Sequence, residues 1–321
     1  MREANPRSAK SDFFGFFQVI FQNPGGQRDL GILSSALSPV QGQESNGITA
    51  MKAKHQLDAS VADLTPTLCD LCGVPRPNVC AAEALPAVIE RAKEALGERS
   101  VTKALIFCPD AIGNVQLEKW PEEFAPLLAV TDVTVKGTNV LPSVTPVCFA
   151  TIFTGAPPEV HGIIKYARPV LKVETLFDVF AKAGRKVAIV AENNCSIDLI
   201  FRERSIDYFS FPENEASFNF GKHLLAYFDY DLILVYDGGY ESTMHKNGVW
   251  HEQSLEALRD SIRRYAGLVQ CVDEHWKNFD RLTVFAPDHG SHDNEKGKGS
   301  HGSDSPEDAV FNHYYRVRPA E

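Results

Sequence analysis

The chain lacks the features that would place it in several large classes. It has no run of about 18 consecutive apolar residues, the length a membrane-spanning helix needs, so no association with a membrane is expected. It has no basic excess: 32 Lys and Arg against 42 Asp and Glu give a net charge of -10, which argues against a broad surface for a nucleic-acid polymer. It has no disulfide framework. The seven cysteines (Cys69, Cys72, Cys80, Cys108, Cys148, Cys195 and Cys271) are odd in number and scattered, which points to a reducing, cytoplasmic compartment. The apolar stretch Phe14 to Phe21 is interrupted by Gln18 and has no small-residue cleavage site after it, so it is not read as a signal peptide. Methionine is scarce, at Met1, Met51 and Met244, and Met51 falls where the composition changes. Residues 1–50 are dominated by Gly, Ser, Gln, Asn and Pro, a composition that buries too little apolar surface to offset its ordering entropy. A disordered extension is therefore expected over 1–50, followed by a single α/β domain over 51–321.

What remains is ordinary for a globular enzyme: 44% hydrophobic and 23% charged residues, enough for a sizeable core. Short apolar strands alternate with amphipathic helices. Helices are expected over Val61 to Cys72, Ala81 to Leu96 and Thr175 to Ala183. A long one carries Leu255, Leu258, Ile262, Tyr265, Val269 and Val272 at helical spacing. Strands are expected over 104–108, 186–191, 231–236 and 282–286. This alternation predicts a mostly parallel sheet covered by helices on both faces. Cys69-Asp-Leu-Cys72 with Cys80 could form half of a zinc site, but no second Cys/His pair follows at finger-like spacing, and both Cys69 and Cys72 lie in an apolar pattern that reads as core.

Several of these strands end in side chains able to bind a metal. The first runs into Asp110. The strand 231–236 runs into Asp237 and then Glu241 and His245, four apart and therefore on one side of a helical turn. The last runs into Asp288 and His289, with His301 in a Gly/Lys/Ser-rich loop beyond. Open α/β sheets bind ligands at the carboxyl edge, and mixed carboxylate and imidazole donors suit zinc and its divalent neighbours. Asp237 is a fallback ligand for Glu241. His292, Asp293 and His313 are candidates for orienting the imidazoles, and Lys296 and Lys298 read as a solvated loop that could touch phosphate.

The nucleophile candidate is Thr145. Thr145-Pro146 reads as N-cap and first residue of a helix ending near Gly155. A hydroxyl there sits among free N–H groups at the positive end of the helix dipole, where a phosphoryl oxyanion is stabilised. Cys148 is the alternative, one turn inside the helix with no histidine nearby in sequence.

Thr145-Pro146, then Phe153-Thr154-Gly155, then Pro158-Glu159-Val160-His161-Gly162-Ile163 resemble the nucleophile segment of the alkaline phosphatase superfamily, closest to its nucleotide pyrophosphatase/phosphodiesterase branch. Glu241-x-x-x-His245-x-x-Gly248, Asp288-His289-Gly290 and His301-Gly302 are similar to its later metal motifs. The resemblance spans residues 104 to 302. It implies an alkaline-phosphatase-like fold, two divalent ions of zinc type and a phospho-threonine intermediate. Asp110, Thr145, Asp288 and His289 would hold one ion, and Glu241, His245 and His301 the other. The implied activity is metal-dependent hydrolysis of a small phosphorylated substrate, a nucleotide or other phosphodiester. Phosphomonoesterase, phosphomutase and a silent metal-binding homologue are the alternatives. The chain departs from the pattern at Ala111 where glycine is usual, at Pro146 directly after the nucleophile, at Cys148 where asparagine is common, and at Glu241 where aspartate is usual. His161 reads as a structural loop residue. Trp120, Phe149 and Tyr166 are candidates for a pocket against the second ester group.

Overall fold

The computed structural model describes residues 54–321 and the two short strands Val19–Ile20 and Leu30–Gly31; the rest of the expected extension, and its boundary near Met51, lie outside the described residues. The main sheet has eight strands: β1 (Lys54–Ser60), β2 (Lys103–Pro109), β3 (Val133–Thr138), β4 (Val187–Glu192), β5 (Asp207–Phe211), β6 (Leu232–Asp237), β7 (Arg281–Phe285) and β8 (Val310–Arg318). Their order is β1-β3-β8-β7-β2-β6-β4-β5. Only β8 runs antiparallel to its neighbours; every other pairing is parallel.

The pleat of β2 shows why both faces are covered. Ala104, Ile106 and Cys108 enter one apolar cluster while Leu105 and Phe107 enter the other, and all are fully buried. Helices α1 (Leu64–Cys72), α2 (Pro86–Leu96), α3 (Thr145–Thr154) and α4 (Leu176–Lys182) pack on the first face. Helices α5 (Asn214–Tyr227), α6 (Gly239–Asn247) and α7 (Glu252–His275) pack on the second. The mixed α/β architecture with a mostly parallel sheet agrees with the sequence expectation. The α7 stripe is buried from Leu255 to Val272 at the expected spacing. Cys69 and Cys72 are buried within α1, as the core reading required, and burial raises both thiols above their usual range.

Three differences have local causes. The helix expected from Ala81 begins at Pro86, since a proline suits the first helical turn and the N–H groups of Ala81 and Ala82 are already bound to the Gly155 carbonyl. Thr175 lies outside α4 as its cap, with Asp178 completing a capping box. The strand 281–285 is followed by β8, whose residues come in pairs, Val310-Phe311, Asn312-His313 and Tyr314-Tyr315, and give no continuous apolar run.

For the site, the central feature is the neighbouring trio β7-β2-β6. Their carboxyl ends lie side by side and deliver Asp288, Asp110 and Asp237 to one edge of the sheet.

Candidate metal centre

The first cluster is built from strand ends. β2 stops at Pro109, and the Asp110 N–H donates to the Asp237 carbonyl, which stitches this end to β6. The chain then turns through Ala111 at φ 65°, so that its N–H donates to Asp288 Oδ1 at 3.1 Å while its carbonyl accepts from Ser291 Oγ. Asp110, Asp288 and His289 are each 0% exposed. His289 Nε2 stands 3.6 Å from Asp110 Oδ1 and 3.2 Å from Asp288 Oδ2. Thr145 Oγ1 completes the group, 3.5 Å from Asp110 Oδ1 and 3.3 Å from His289 Nε2.

Thr145 is the first helical residue of α3 rather than its cap. Val144, in extended conformation, holds the cap position. No capping hydrogen bond occupies the Thr145 hydroxyl, which is why it can face Asp110 and His289.

The second cluster comes from a helix and a loop. Glu241 and His245 lie on the same side of α6, with Glu241 Oε1 3.5 Å from His245 Nε2. His301 Nε2 lies 3.5 Å from the same oxygen. His301 follows a two-stranded hairpin, His292–Asp293 paired with Gly299–Ser300. Gly299 packs so tightly on α6 that a Cβ there would meet Met244 Sδ at 2.1 Å, which makes this a position for glycine alone. The His289 and His301 rings stack with centroids 4.1 Å apart and join the two clusters.

The three imidazoles share one arrangement. His289 Nδ1 faces the Gly290 carbonyl at 2.9 Å, His245 Nδ1 the Gly299 carbonyl at 2.9 Å, and His301 Nδ1 the Ser143 carbonyl at 3.2 Å. A carbonyl can only accept, so each Nδ1 carries a proton and each Nε2 is turned toward the carboxylates, where a divalent ion would take its lone pair. This is how metal-binding histidines are oriented.

The donor set fits a pair of divalent ions. Asp110, Asp288 and His289 offer ligand atoms within 4.8 Å of one another, and so do Glu241, His245 and His301. Asp288 Oδ2 is buried without a hydrogen-bond partner, an expensive arrangement for a carboxylate that a cation would remedy. Burial, reinforced by the charges of Asp288 and Glu241, holds the Asp110 carboxyl well above its usual range. Burial raises Asp288 likewise, against the lowering effect of the Ala111 N–H. Burial and the neighbouring His301 hold His289 well below the usual imidazole range. Burial also pushes Glu241 upward, but hydrogen bonds from His245 and His301 outweigh it and bring the carboxyl to about 2. The Glu241 hydrogen bond raises His245. Among the described residues, no lysine or arginine hydrogen-bonds or pairs with any of the seven.

The other candidates lie elsewhere. Asp237 accepts from Ser261 Oγ at 2.6 Å and from Arg264 at 3.0 Å, an ion pair outside both clusters. Cys148 is fully buried, and burial with the charges of Asp288 and Asp110 raises its thiol well above the usual range, the reverse of what a nucleophile needs. His161 is structural: its Nδ1 accepts from the Ile163 N–H, and Nε2 faces Thr151 Oγ1 at 3.0 Å. His292 pairs with Asp308, Asp293 accepts from the Val249 N–H, and His313 Nε2 bonds the Pro287 carbonyl just before Asp288. None of these three touches a cluster imidazole. Lys298 donates to the Lys246 carbonyl, and Lys296 is exposed. Phe149 is not available as a pocket wall; it is core, packed against Phe153 and Tyr236. Tyr166 is exposed, and Trp120 packs edge-on against Trp250 beside the second apolar cluster.

Two residues with no sequence signal also belong to the site. Tyr236 donates its phenol to Asp110 Oδ2 at 2.7 Å, leaving Oδ1 toward Thr145 and His289. Asn139 donates to the Asp288 carbonyl. Both signals are three-dimensional, since one is a strand residue and the other follows a strand.

No protein-family model matches the chain, and a search of curated proteins finds no match. Among solved structures, phosphonoacetate hydrolase from Sinorhizobium meliloti 1021 in complex with phosphonoformate is similar over 61% of this chain and 59% of that one, at 19% identity and TM-score 0.46. Murine ectonucleotide pyrophosphatase/phosphodiesterase 5, in an inactive form in complex with AMP, is similar over 61% and 59%, at 17% identity and TM-score 0.49. The human protein of that name is similar over 60% and 58%, at 16% identity and TM-score 0.48. The chain thus spans about three fifths of the length of each. It resembles the alkaline phosphatase superfamily in its sequence motifs, and these hydrolases are among the solved structures to which it is similar.

Proposed function

We propose that the protein is a metal-dependent phosphodiesterase in which Thr145 is the nucleophile and the two clusters each hold a divalent ion of zinc type. The observation that carries this reading is the common orientation of His245, His289 and His301. All three are pinned through Nδ1 to backbone carbonyls, so that their Nε2 atoms and three carboxylates gather in two adjoining clusters, one of which faces the Thr145 hydroxyl. Ions so held would supply Lewis-acid charge to the attacking and leaving oxygens.

The chain's own residues do the rest. Asp110 and His289 hold Thr145 Oγ1 at the first turn of α3, where the positive end of the helix dipole favours charge on a phosphoryl oxygen. Attack of Thr145 Oγ1 on phosphorus breaks the bond to the leaving oxygen and forms a phospho-threonine. Water then hydrolyses that ester and releases the second alcohol's phosphate with Thr145 restored. Burial of Asp110, Asp288 and His289 keeps bulk water from screening these charges.

Charge favours a diester. Two divalent cations against three carboxylates leave one positive charge, and among the described residues no lysine or arginine hydrogen-bonds or pairs with the seven. A diester monoanion neutralises that charge, whereas a monoester dianion exceeds it.

The test compares a bis-aryl phosphate with an aryl monophosphate on zinc-loaded protein and on Thr145→Ala. Faster diester turnover, lost in the variant, is expected. Equal rates in the variant, or a monoester preference, would remove the reading.

A further inference from the structure

Asp308 lies outside both clusters and outside every motif, yet it touches the segments that carry two of the ligands. It is 0% exposed. Its backbone carbonyl accepts from the Gly290 N–H at 2.9 Å, directly after His289. Its carboxylate divides between two loops. Oδ1 faces His292 Nδ1 at 2.7 Å, three residues after His289. Oδ2 accepts from the Ser303 N–H at 2.8 Å and from Ser303 Oγ at 2.7 Å, two residues after His301. The approach is close as well as bonded: a Cβ on Gly290 would lie 2.0 Å from the Glu307 carbonyl oxygen. A single buried carboxylate thus ties the chain after His289, on the buried cluster, to the chain after His301, on the more exposed one.

We propose that Asp308 is a positioning residue that sets the His301 loop against the strand end carrying His289, and so completes the second metal position. The inference rests on the metal-centre reading above. The alternative reason for a buried aspartate, capping the short helix Pro306–Ala309, does not account for this geometry. Asp308 lies inside that helix, its cap residue Ser305 makes no side-chain cap bond, and the carboxylate points to His292 and Ser303. The His301 ring itself is held by the 3.2 Å contact of Nδ1 with the Ser143 carbonyl, the 3.5 Å contact of Nε2 with Glu241 and its stack on His289, so freeing Ser303 acts on the backbone that carries the ring.

The test uses the full chain stripped of metal, titrated with Zn²⁺ alone against a chromophoric chelator. Wild type is expected to take two equivalents. Asp308→Asn places an amide where Oδ1 met a ring donor and should weaken one equivalent about 10- to 100-fold, the usual effect of losing an orienting partner, while sparing the other. His245→Ala, measured in parallel, identifies the affected equivalent as that of the second cluster. Should Asp308→Asn not fold, Ser303→Ala, which removes only the hydroxyl, is expected to shift the same equivalent in the same direction by a smaller factor. Two equivalents binding to Asp308→Asn or Ser303→Ala as tightly as to wild type would overturn the inference alone. Failure of wild type to bind zinc would overturn the metal-centre reading instead. A uniform loss of both equivalents would mark Asp308 as merely structural and also overturn the inference.

Discussion

The two clusters use similar ligands and differ in almost everything else. Asp110, Asp288 and His289 sit at the ends of adjacent central strands and are fully buried. Glu241, His245 and His301 sit on a helix and a loop, with side chains 21%, 41% and 7% exposed. Without a cation the buried set is frustrated: two raised carboxyls face a lowered imidazole, and Asp288 Oδ2 has no hydrogen-bond partner. The open set satisfies itself, because His245 and His301 both bond Glu241. A rigid, dry site needs its ion in order to be stable, whereas a wetter, self-paired site can release one.

The largest effect should come from the residue that leans on the buried set. Thr145→Ala is expected to lower diester turnover by on the order of 10⁴-fold while both zinc equivalents still bind, measured by single-turnover kinetics beside metal titration. Loss of a zinc equivalent together with activity would show Thr145 to be chiefly a ligand.

Asp288→Ala should abolish binding at the buried cluster. Chelation of the wild-type protein should remove about 4 kcal/mol of stability where free ion had exceeded Kd a thousandfold, seen as a drop of several degrees in Tm. His245→Ala should weaken only one equivalent, about 10- to 100-fold, and barely move the Tm. If the two variants behave alike, the contrast between the clusters is broken.

The pH dependence of the metal-free chain should separate them further. Asp110 and Asp288 have folded pKa values above their unfolded ones, so their burial destabilises the chain at neutral pH and relents as pH falls toward the ordinary carboxyl range. His245 is also raised. Its pair with Glu241 contributes fully below the unfolded pKa of 6.5 and is lost as pH rises through the folded value. Glu241, lowered to about 2 against 4.5, contributes above pH 4.5 and loses that contribution as pH falls toward 2. His161, His289 and His313 are lowered by burial and act in the opposite direction, costing stability as pH falls below 6.5. The check is therefore a comparison: in chemical denaturation of the metal-free chain, His245→Ala should be less favoured at pH 6 relative to pH 8 than the parent chain, and an identical change in the two proteins would contradict the His245 assignment.

The smallest effect concerns Ala111. Relief of left-handed strain by Ala111→Gly, about 1 kcal/mol, is opposed by a gain in unfolded-chain entropy of about 0.4–1 kcal/mol, so equilibrium denaturation should move by less than roughly 0.5 kcal/mol. A larger loss would mean that the methyl group makes a packing contribution of its own.

Much of this was legible in the sequence because ligand-type residues stand where apolar runs stop. Asp110 and Asp288-His289 each follow such a run, and the four-residue spacing of Glu241 and His245 placed them on one side of α6. The rest was hidden for physical reasons. In β8, Asn312 and His313 are buried by their neighbours rather than by their own hydropathy, so the paired pattern Val-Phe-Asn-His-Tyr-Tyr gave neither a period-two alternation nor a continuous apolar run. Tyr236 and Asp308 act through contacts 126 and 16 residues away, which spacing cannot reveal. Phe149 was misjudged because a helix buried all round looks the same in sequence as one with a face on a cleft.

The place of β8 in the sheet has a temporal consequence. It is the last strand of the sheet to leave the ribosome, yet it lies between β3 and β7 and pairs with both. Until it arrives, β1 and β3 have no sheet to join, and the contact of His313 with the Pro287 carbonyl, just before Asp288, is missing. A chain stalled before residue 310 therefore carries every candidate ligand of the proposed centre but not the strand that joins β3 to β7.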